Sequence, residues 1–449
     1  MLYFHNAEQV VQEQIKQSVT GNNNYAERDA CIDYYTYSNT ERFIRKYFKG
    51  SLLKEIPLYT QNFTQRLINR VSMVYKNAPI REVGNDAYVD FIGKKDYELK
   101  RVERLHRLLG TLAVIITPNK DEKLTYKPLI NFLPFFNEGD DTPVGITYRI
   151  GSQRNSLGTD PTEIQRYIYW DKEQHFIFDA DGNRYEPTPD NPDMINPFGI
   201  LPVAFLQPNT AIDTFWNDGA KDVVIANRQV DIAMTMLQHH IRSAGGQFVI
   251  SGRVDSNMIE LGLNKAIVLE DGNMTNLNPN VDINSIAEGI KFQLMHIFQN
   301  HHVTFDYGLS GSKSGVTLKM ENLELIEARE DDVEKYRAFE HDVFLVEKAI
   351  GELLGVSLTE DFKVDFAEVE FPLTPEQEQA RWDWYFANGL KDKADYLMHS
   401  DPDGFPTRED AEEYLAERGA SASKVKNLAD TEDNAFKLNS GGAVEEEVI

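Results

Sequence analysis

Three long stretches of helical periodicity, two of them separated by a short strand-and-turn insert, constrain this chain more than any other feature of its sequence. Asp218 to Arg242 reads as one helix, with Val224, Ile225, Ile232, Met236, Leu237 and Ile241 favouring one side. At 1.5 Å per residue its 25 residues span roughly 37 Å. Gly245-Gly246 stop it. Gln247 to Asp282 then turns to strand-and-turn chemistry, with Phe248-Val-Ile250, Ala266-Ile-Val-Leu269 and the turn Glu270-Asp-Gly-Asn273. Ile283 to His301 is helical again, placing Ile286, Ile290, Leu294, Ile297 and Phe298 on one stripe. The third stretch, Leu318 to Leu354, spans roughly 55 Å if continuous and sets an apolar side running from Leu325 to Leu353 against dense acid. Two helices joined through a small insert form an αα-hairpin with a cap at one tip. Alone, such a hairpin buries too little surface. It fits either packing against copies of itself in a ring or a place inside a helical bundle, and periodicity does not separate the two.

The flanking regions are mixed. Thr60 to Ala78 places Phe63, Leu67, Val71, Val74 and Tyr75 at spacings of three and four, predicting a helix that Pro79 ends. A basic helix follows at Tyr97 to Leu109. At Gly110 the texture changes: Thr111-Leu-Ala-Val-Ile-Ile-Thr117 is a β-branched run of strand length. Strands are expected at Gly145–Ile150, Arg166–Trp170 and Leu201–Leu206, and a hairpin from Gln174–Phe178 through Asp179-Ala-Asp-Gly-Asn183. Phe305 to Gly315 holds three glycines and three serines and reads as a flexible loop joining two long helices. After Pro372 the chain is helical and acidic at Glu376–Asn388, Lys391–His399 and Thr407–Glu417, the last with Thr407 as N-cap and Asp410 at its third position. From Gly419 onward the composition predicts disorder.

Composition removes several classes of function. The 449 residues carry 72 acids against 46 bases, a formal charge of −26, which argues against wrapping nucleic acid on a basic surface. The imbalance is local. Glu41 to Arg107 holds 15 Lys/Arg against 8 Asp/Glu, whereas Val316 to Phe371 holds 6 against 16 and Thr374 to Ile449 holds 8 against 18. One face is thus suited to acidic partners and another repels them. The single Cys31 excludes a disulfide framework or a multi-cysteine metal site. No apolar run approaches membrane-spanning length, and Met1 to Gln14 lacks a basic-then-apolar leader.

No motif supplies chemistry. Gly308-Leu-Ser-Gly-Ser-Lys-Ser314 fails as a phosphate loop, because a Ser separates Gly311 from Lys313 and a helix precedes it. Asp179-x-Asp-Gly-Asn183 and Asp401-Pro-Asp-Gly404 place glycine fourth, where a calcium loop needs it sixth, so both read as turns. His239, His240, His296, His301 and His302 lack a metal-ligand spacing and are expected at polar helix ends. Neither a nucleophile elbow nor a dinucleotide fingerprint is present. No cofactor or metal is expected, and the chain is not expected to be an enzyme.

Ser314-Gly-Val-Thr-Leu-Lys319, opening the third long helix, resembles the Ser-Gly-x-Ala-Leu-Lys stretch of tailed-bacteriophage portal proteins, with Thr317 in place of the small residue. Asn62 to Ile80, ending Lys-Asn-Ala-Pro-Ile, is similar to that family's N-terminal helix and its Gly-x-Pro ending. Trp170-Asp through Phe178-Asp-Ala-Asp-Gly and on to Gly199-Ile-Leu-Pro-Val203 is similar to its strand, hairpin and Gly-x-x-Pro-Val segment. The likeness spans about residues 40 to 400.

The resemblance implies an α+β portal fold: mainly helical, with a small β-rich wing subdomain, two stem helices joined by an α/β clip, and a helical crown. By position, residues 1–215 are the wing, with its β-rich part at about 110–208. Residues 216–245 and 283–303 are the stem, 246–282 the clip and 304–315 the tunnel loop. Residues 316–373 are the long wing helix and following strand, and 374–449 the acidic crown and tail. It further implies a homo-oligomeric ring, usually of 12 copies, at the capsid vertex of the virion, assembled in the host cytoplasm. Its partners would be capsid and scaffolding proteins, the terminase large subunit, a head-completion or tail adaptor protein, and double-stranded DNA in the channel. Asp306, Tyr307, Leu309, Ser310 and Lys313 would then face DNA from the tunnel loop. Arg66, Arg70, Arg101 and Arg104, in the basic segment, are the candidates for subunit contact. The competing readings are a ring-forming connector or adaptor without a DNA conduit, and a nucleic-acid-processing enzyme with degenerate motifs.

Overall fold

The computed structural model describes residues 24–48, 50, 58–85, 87–139, 141–150, 166–179, 191–209, 214–243, 247–252, 272–277, 282–304, 322–359, 361–368, 375–402 and 404–418. The chain mixes helix and sheet in two compact bodies, residues 1–309 with 321–369, and residues 310–320 with 370–449.

The first body opens with α1 (Asn24–Thr36) and α2 (Glu41–Arg45). Next comes α3 (Phe63–Val71), whose Asn62 N-cap accepts from the Gln65 amide. The periodicity of Thr60–Ala78 predicted a longer helix; it stops at Val71. The reason lies downstream, where the Glu103 carboxylate accepts the backbone N–H groups of Val74 and Tyr75, both at 2.9 Å. Amides satisfied from the side need no helical partner. Val74 and Tyr75 still enter the core, from a turn.

After β1 (Ile80–Glu82) and α4 (Tyr88–Phe91) comes α5 (Lys95–Leu109). It ends at Gly110, where φ is +76° and an added Cβ would lie 1.9 Å from the Asn217 carbonyl oxygen. Only glycine fits there. The strands β2 (Leu112–Pro118), β3 (Leu124–Leu129), β4 (Phe132–Phe136), β5 (Pro143–Arg149), β6 (Arg166–Asp171), β7 (His175–Asp179) and β8 (Val203–Leu206) follow. They form two antiparallel sheets, ordered β3-β2-β8 and β4-β5-β6-β7. The β-branched run predicted at 111–117 is the central strand β2, buried from Leu112 to Ile116 as a strand covered on both faces should be. β7 pairs with β6, through a turn in which Asp171 accepts the amides of Glu173 and Gln174. The hairpin tip expected at Asp179–Asn183 lies largely outside the described residues.

Then come α6 (Lys221–Ser243), β9 (Gln247–Gly252), β10 (Gly272–Leu277), α7 (Ile283–Asn300), α8 (Leu323–Leu354) and β11 (Lys363–Asp365). Gly272 and Asn273, read from sequence as turn, begin β10. β11 returns to pair with β1, Ile80 opposite Asp365.

The core of this body holds a charge cluster. Lys95, fully buried, reaches Glu340 at 2.9 Å and Glu347 at 2.7 Å on α8. Arg81 pairs with Glu340 at 2.6 Å and with the half-exposed Asp96 at 2.6 Å, and Tyr88 and Tyr126 donate to Glu347 at 2.8 and 2.6 Å. Two cations thus meet the two buried carboxylates, and the cluster reaches the surface at Asp96. Burial alone would raise the Glu340 pKa, but Lys95 and the Arg81 hydrogen bond outweigh it and hold the carboxyl at about 2.

The second body contains α9 (Pro375–Ala387), α10 (Lys393–Ser400) and α11 (residues 408–418). Trp382 is buried, with ring contacts to Tyr396 at 5.1 Å and His399 at 5.4 Å. The Thr407 cap predicted from sequence forms: Asp410 receives the Thr407 amide at 3.2 Å and its own amide donates to the Thr407 hydroxyl.

Candidate functional site

The hairpin α6–α7 leaves Ile225, Met236, Ile241 and Phe292 exposed and is joined to the rest of its body by a polar seam. At 1.5 Å per residue, the 23 residues of α6 span roughly 35 Å and the 18 of α7 roughly 27 Å. Val230 and Leu237 of α6 meet Ile290 of α7, with Met234, Ile286 and Leu294 beside them. At the base, His301 and Asp222 close the pair at 3.0 Å. In sequence the antiparallel β9 and β10 lie between the two helices.

One side of α6 carries polar groups where an amphipathic helix should be apolar. Asn227, Asp231 and Thr235 recur every fourth residue, are all buried, and bind the extended segment before α3. The Tyr59 amide donates to the Thr235 hydroxyl at 3.0 Å and the Gln61 amide to Asp231 at 2.9 Å. Asn227 donates to the Gln61 carbonyl at 3.0 Å and accepts from the Thr64 hydroxyl at 2.8 Å. Side chains of a helix thus replace a strand partner, and the segment 59–64 is strapped along α6. Burial pushes the Asp231 carboxyl up to about 7, against the Gln61 and Asn227 hydrogen bonds, which favour its charged form.

The apolar side expected for α6 is therefore split. Val224 and Leu237 are buried, whereas Ile225, Met236 and Ile241 are exposed. On α7, Phe292 is 58% exposed and stacks edge-on to His296 at 4.2 Å. Gly289, one turn away, has open space where a Cβ would stand.

Two clefts flank the hairpin base. One, of about 780 Å³, is floored by Phe63, Val230, Ile290, Leu294 and Phe298 and rimmed by Arg66 and Arg70. The other, of about 400 Å³, sets Arg107, Arg329, Asp331, Asp332 and Lys335 beside apolar Ile68, Val71 and Leu325. Within it Asp332 binds both Arg107 and Lys335, the latter at 2.8 Å. Burial, then Arg107, pushes the Lys335 amine down to about 7, while burial holds His106 well below the usual histidine range. In this second cleft Arg107 and Lys335 share the single carboxylate of Asp332.

Of the sequence-predicted contact residues, Arg66 and Arg70 are exposed on α3 and Arg101 on α5, while Arg104 is half-buried. Tyr35 links the two helices: its hydroxyl donates to Asn69 at 2.9 Å, and Arg104 lies against it. The four arginines therefore share neighbouring helices. Asp306, Tyr307, Leu309, Ser310 and Lys313 lie outside the described residues. Among the described residues no cluster of His, Cys, Asp and Glu is arranged to hold a metal, and no helix is long and apolar enough to cross a membrane. The Asn227–Asp231–Thr235 row escaped the sequence reading, although its four-residue spacing is visible there.

No family model matches the sequence, and no curated protein matches it. Among solved structures, the chain is similar to one in the virion of a native gene transfer agent particle. The two are 11% identical, with 83% of this chain and 98% of that chain covered and a TM-score of 0.41. It is also similar to a chain in the neck of an empty gene transfer agent particle computed with six-fold symmetry. Here identity is 11%, 78% of this chain and 92% of that chain are covered, and the TM-score is 0.42. Likeness of this size does not assign a function.

Proposed function

We propose that this chain is the repeating, non-enzymatic subunit of a portal-type ring in a tailed, phage-like particle, where it conducts double-stranded DNA. The observation that carries the reading is the hairpin: two long helices, a β insert between them, and apolar side chains left exposed along both helices. In a ring Met236, Ile241 and Phe292, about half exposed in the single chain, would be covered by a neighbouring copy. The order of elements around the hairpin, and the Ser314–Lys319 stretch, resemble the portal family over most of the chain.

In this reading α6 and α7 are the stem, β9 and β10 belong to the clip, and α8 is the long wing helix. The ring would sit at one capsid vertex, nucleate assembly with capsid and scaffolding proteins, dock a terminase during packaging, and later bind a head-completion or tail adaptor. A net charge of −26 per chain suits a conduit, because each phosphate a channel neutralises adds salt-dependent affinity and drag. Lys313 is the one base of the loop 305–315 and would touch DNA in passing.

Particle-averaged electron microscopy of the purified chain tests the proposal. A closed ring with a hole wide enough for a B-form duplex is expected; a monomer, or a ring without a hole, overturns it. In an assembly system, Lys313→Glu is expected to alter DNA packaging or retention while rings stay intact. Loss of rings in that variant would remove the loop assignment.

A further inference from the structure

The larger cleft and the outer face of α8 are complementary surfaces of the same body. The cleft offers an apolar floor under two exposed guanidinium groups one helical turn apart, Arg66 and Arg70. The long helix offers the reverse. Its exposed positions fall on a single stripe, acidic at Glu324, Glu327, Glu330, Asp331 and Glu334 and mixed farther on, where Leu345 and Leu353 stand among His341, Asp342 and Glu352. Leu345 and Leu353 on that stripe are 62% and 55% exposed, with Asp342 and Glu352 beside them.

We propose that the cleft at the hairpin base receives the leucine-bearing acidic stripe of α8 from a second copy of this chain. Leu345 and Leu353, two turns and roughly 12 Å apart, would enter the apolar floor as helix-in-groove anchors. Asp342 and Glu352 would meet the Arg66 and Arg70 rim. The contact rests on the ring reading above and sharpens it. Cleft and stripe are different surfaces, so the interface is head-to-tail, the kind that closes into rings when the rotation per subunit allows. It also gives the local charge asymmetry a purpose, since the segment with excess base on one copy faces the segment with excess acid on the next.

The test uses two charge-reversed full-length variants, Arg66→Glu/Arg70→Glu and Asp342→Arg/Glu352→Arg, with assembly read by native mass spectrometry and sedimentation. Each variant alone is expected to associate roughly 100-fold more weakly than the parent, because every contact now juxtaposes like charges. An equimolar mixture is expected to recover oligomers in which the two variants alternate. Reversed cleft then meets reversed helix at one contact, and native surfaces meet at the next. Either variant assembling alone as the parent does, or a mixture of two folded variants failing to recover, overturns the proposal. Circular dichroism establishes folding. Should a reversal unfold the chain, Arg66→Gln/Arg70→Gln or Asp342→Asn/Glu352→Asn replaces it, with weakened assembly expected and unchanged assembly fatal. A monomeric parent chain removes the ring reading itself, whereas a parent ring indifferent to all four variants removes only this interface.

Discussion

Replacing Lys95 by Met probes the buried charge cluster directly. The ammonium holds two carboxylates, Glu340 at 2.9 Å and Glu347 at 2.7 Å, and all three side chains are fully buried. Without it Glu340 keeps Arg81 and Glu347 keeps the hydroxyls of Tyr88 and Tyr126, but two anions now face one cation. Removing one partner of a buried pair costs about 3–5 kcal/mol. The Glu340 carboxyl, which Lys95 and Arg81 together hold down to about 2 against burial, points in the same direction. Hydrogen exchange of the slowest amides in α5 and α8 is the assay, and an acceleration of ~100-fold is expected. The double variant Lys95→Met/Glu347→Gln restores charge balance and keeps an acceptor for one tyrosine, so it should be milder than the single change. An acceleration below ~10-fold for Lys95→Met, or a double variant worse than the single, refutes the reasoning.

Three further outcomes follow from particular groups. Because its carboxyl lies near 2 in the fold, Glu340 contributes stability that is present above pH 4.5 and lost as pH falls toward 2; Glu340→Gln should flatten the acid limb of a stability–pH curve. Asp231 has the opposite sign. Raised from 3.8 to about 7, it contributes stability that is full below 3.8 and lost as pH rises through 7, so the melting temperature of Asp231→Asn should vary less than the parent's between pH 5 and 8. Gly110→Ala places a methyl carbon against the Asn217 carbonyl at positive φ, and is expected to cost at least ~3 kcal/mol by thermal melting.

Much of the architecture was legible because it rests on periodicity. The helices α6, α7 and α8 fall close to where their apolar spacing placed them, and the strand β2 lies on its β-branched run. Where local pattern and long-range contact disagreed, contact won. α3 stops short because Glu103, some thirty residues on, takes the amides that would have continued it. β3 and β4 carry Pro128 and Pro134 and lack a β-branched run, and they form because β2 and β5 offer partners. On α6 the polar row faces inward and several apolar residues face outward, an inversion that hydropathy alone reads backwards. Of the candidate site residues, the arginines could be found by charge. The placing of Arg66 and Arg70 at one cleft depends on how α3, α6 and α7 meet, which no window of sequence contains.

The pairing of β1 with β11 has a consequence for how each copy is made. Ile80 finds Asp365 only after nearly three hundred further residues have been added, and Lys95 waits for Glu340. At 5–20 residues per second, synthesis of the intervening 245 residues takes roughly 12–50 s. Throughout that interval a lysine destined for the interior has no partner, and the N-terminal helices lack a core to close on. A nascent or truncated chain ending before Glu340 therefore cannot complete this body. Only a chain translated past residue 365 can close this body, so the wiring of the fold itself leaves shorter fragments unfinished.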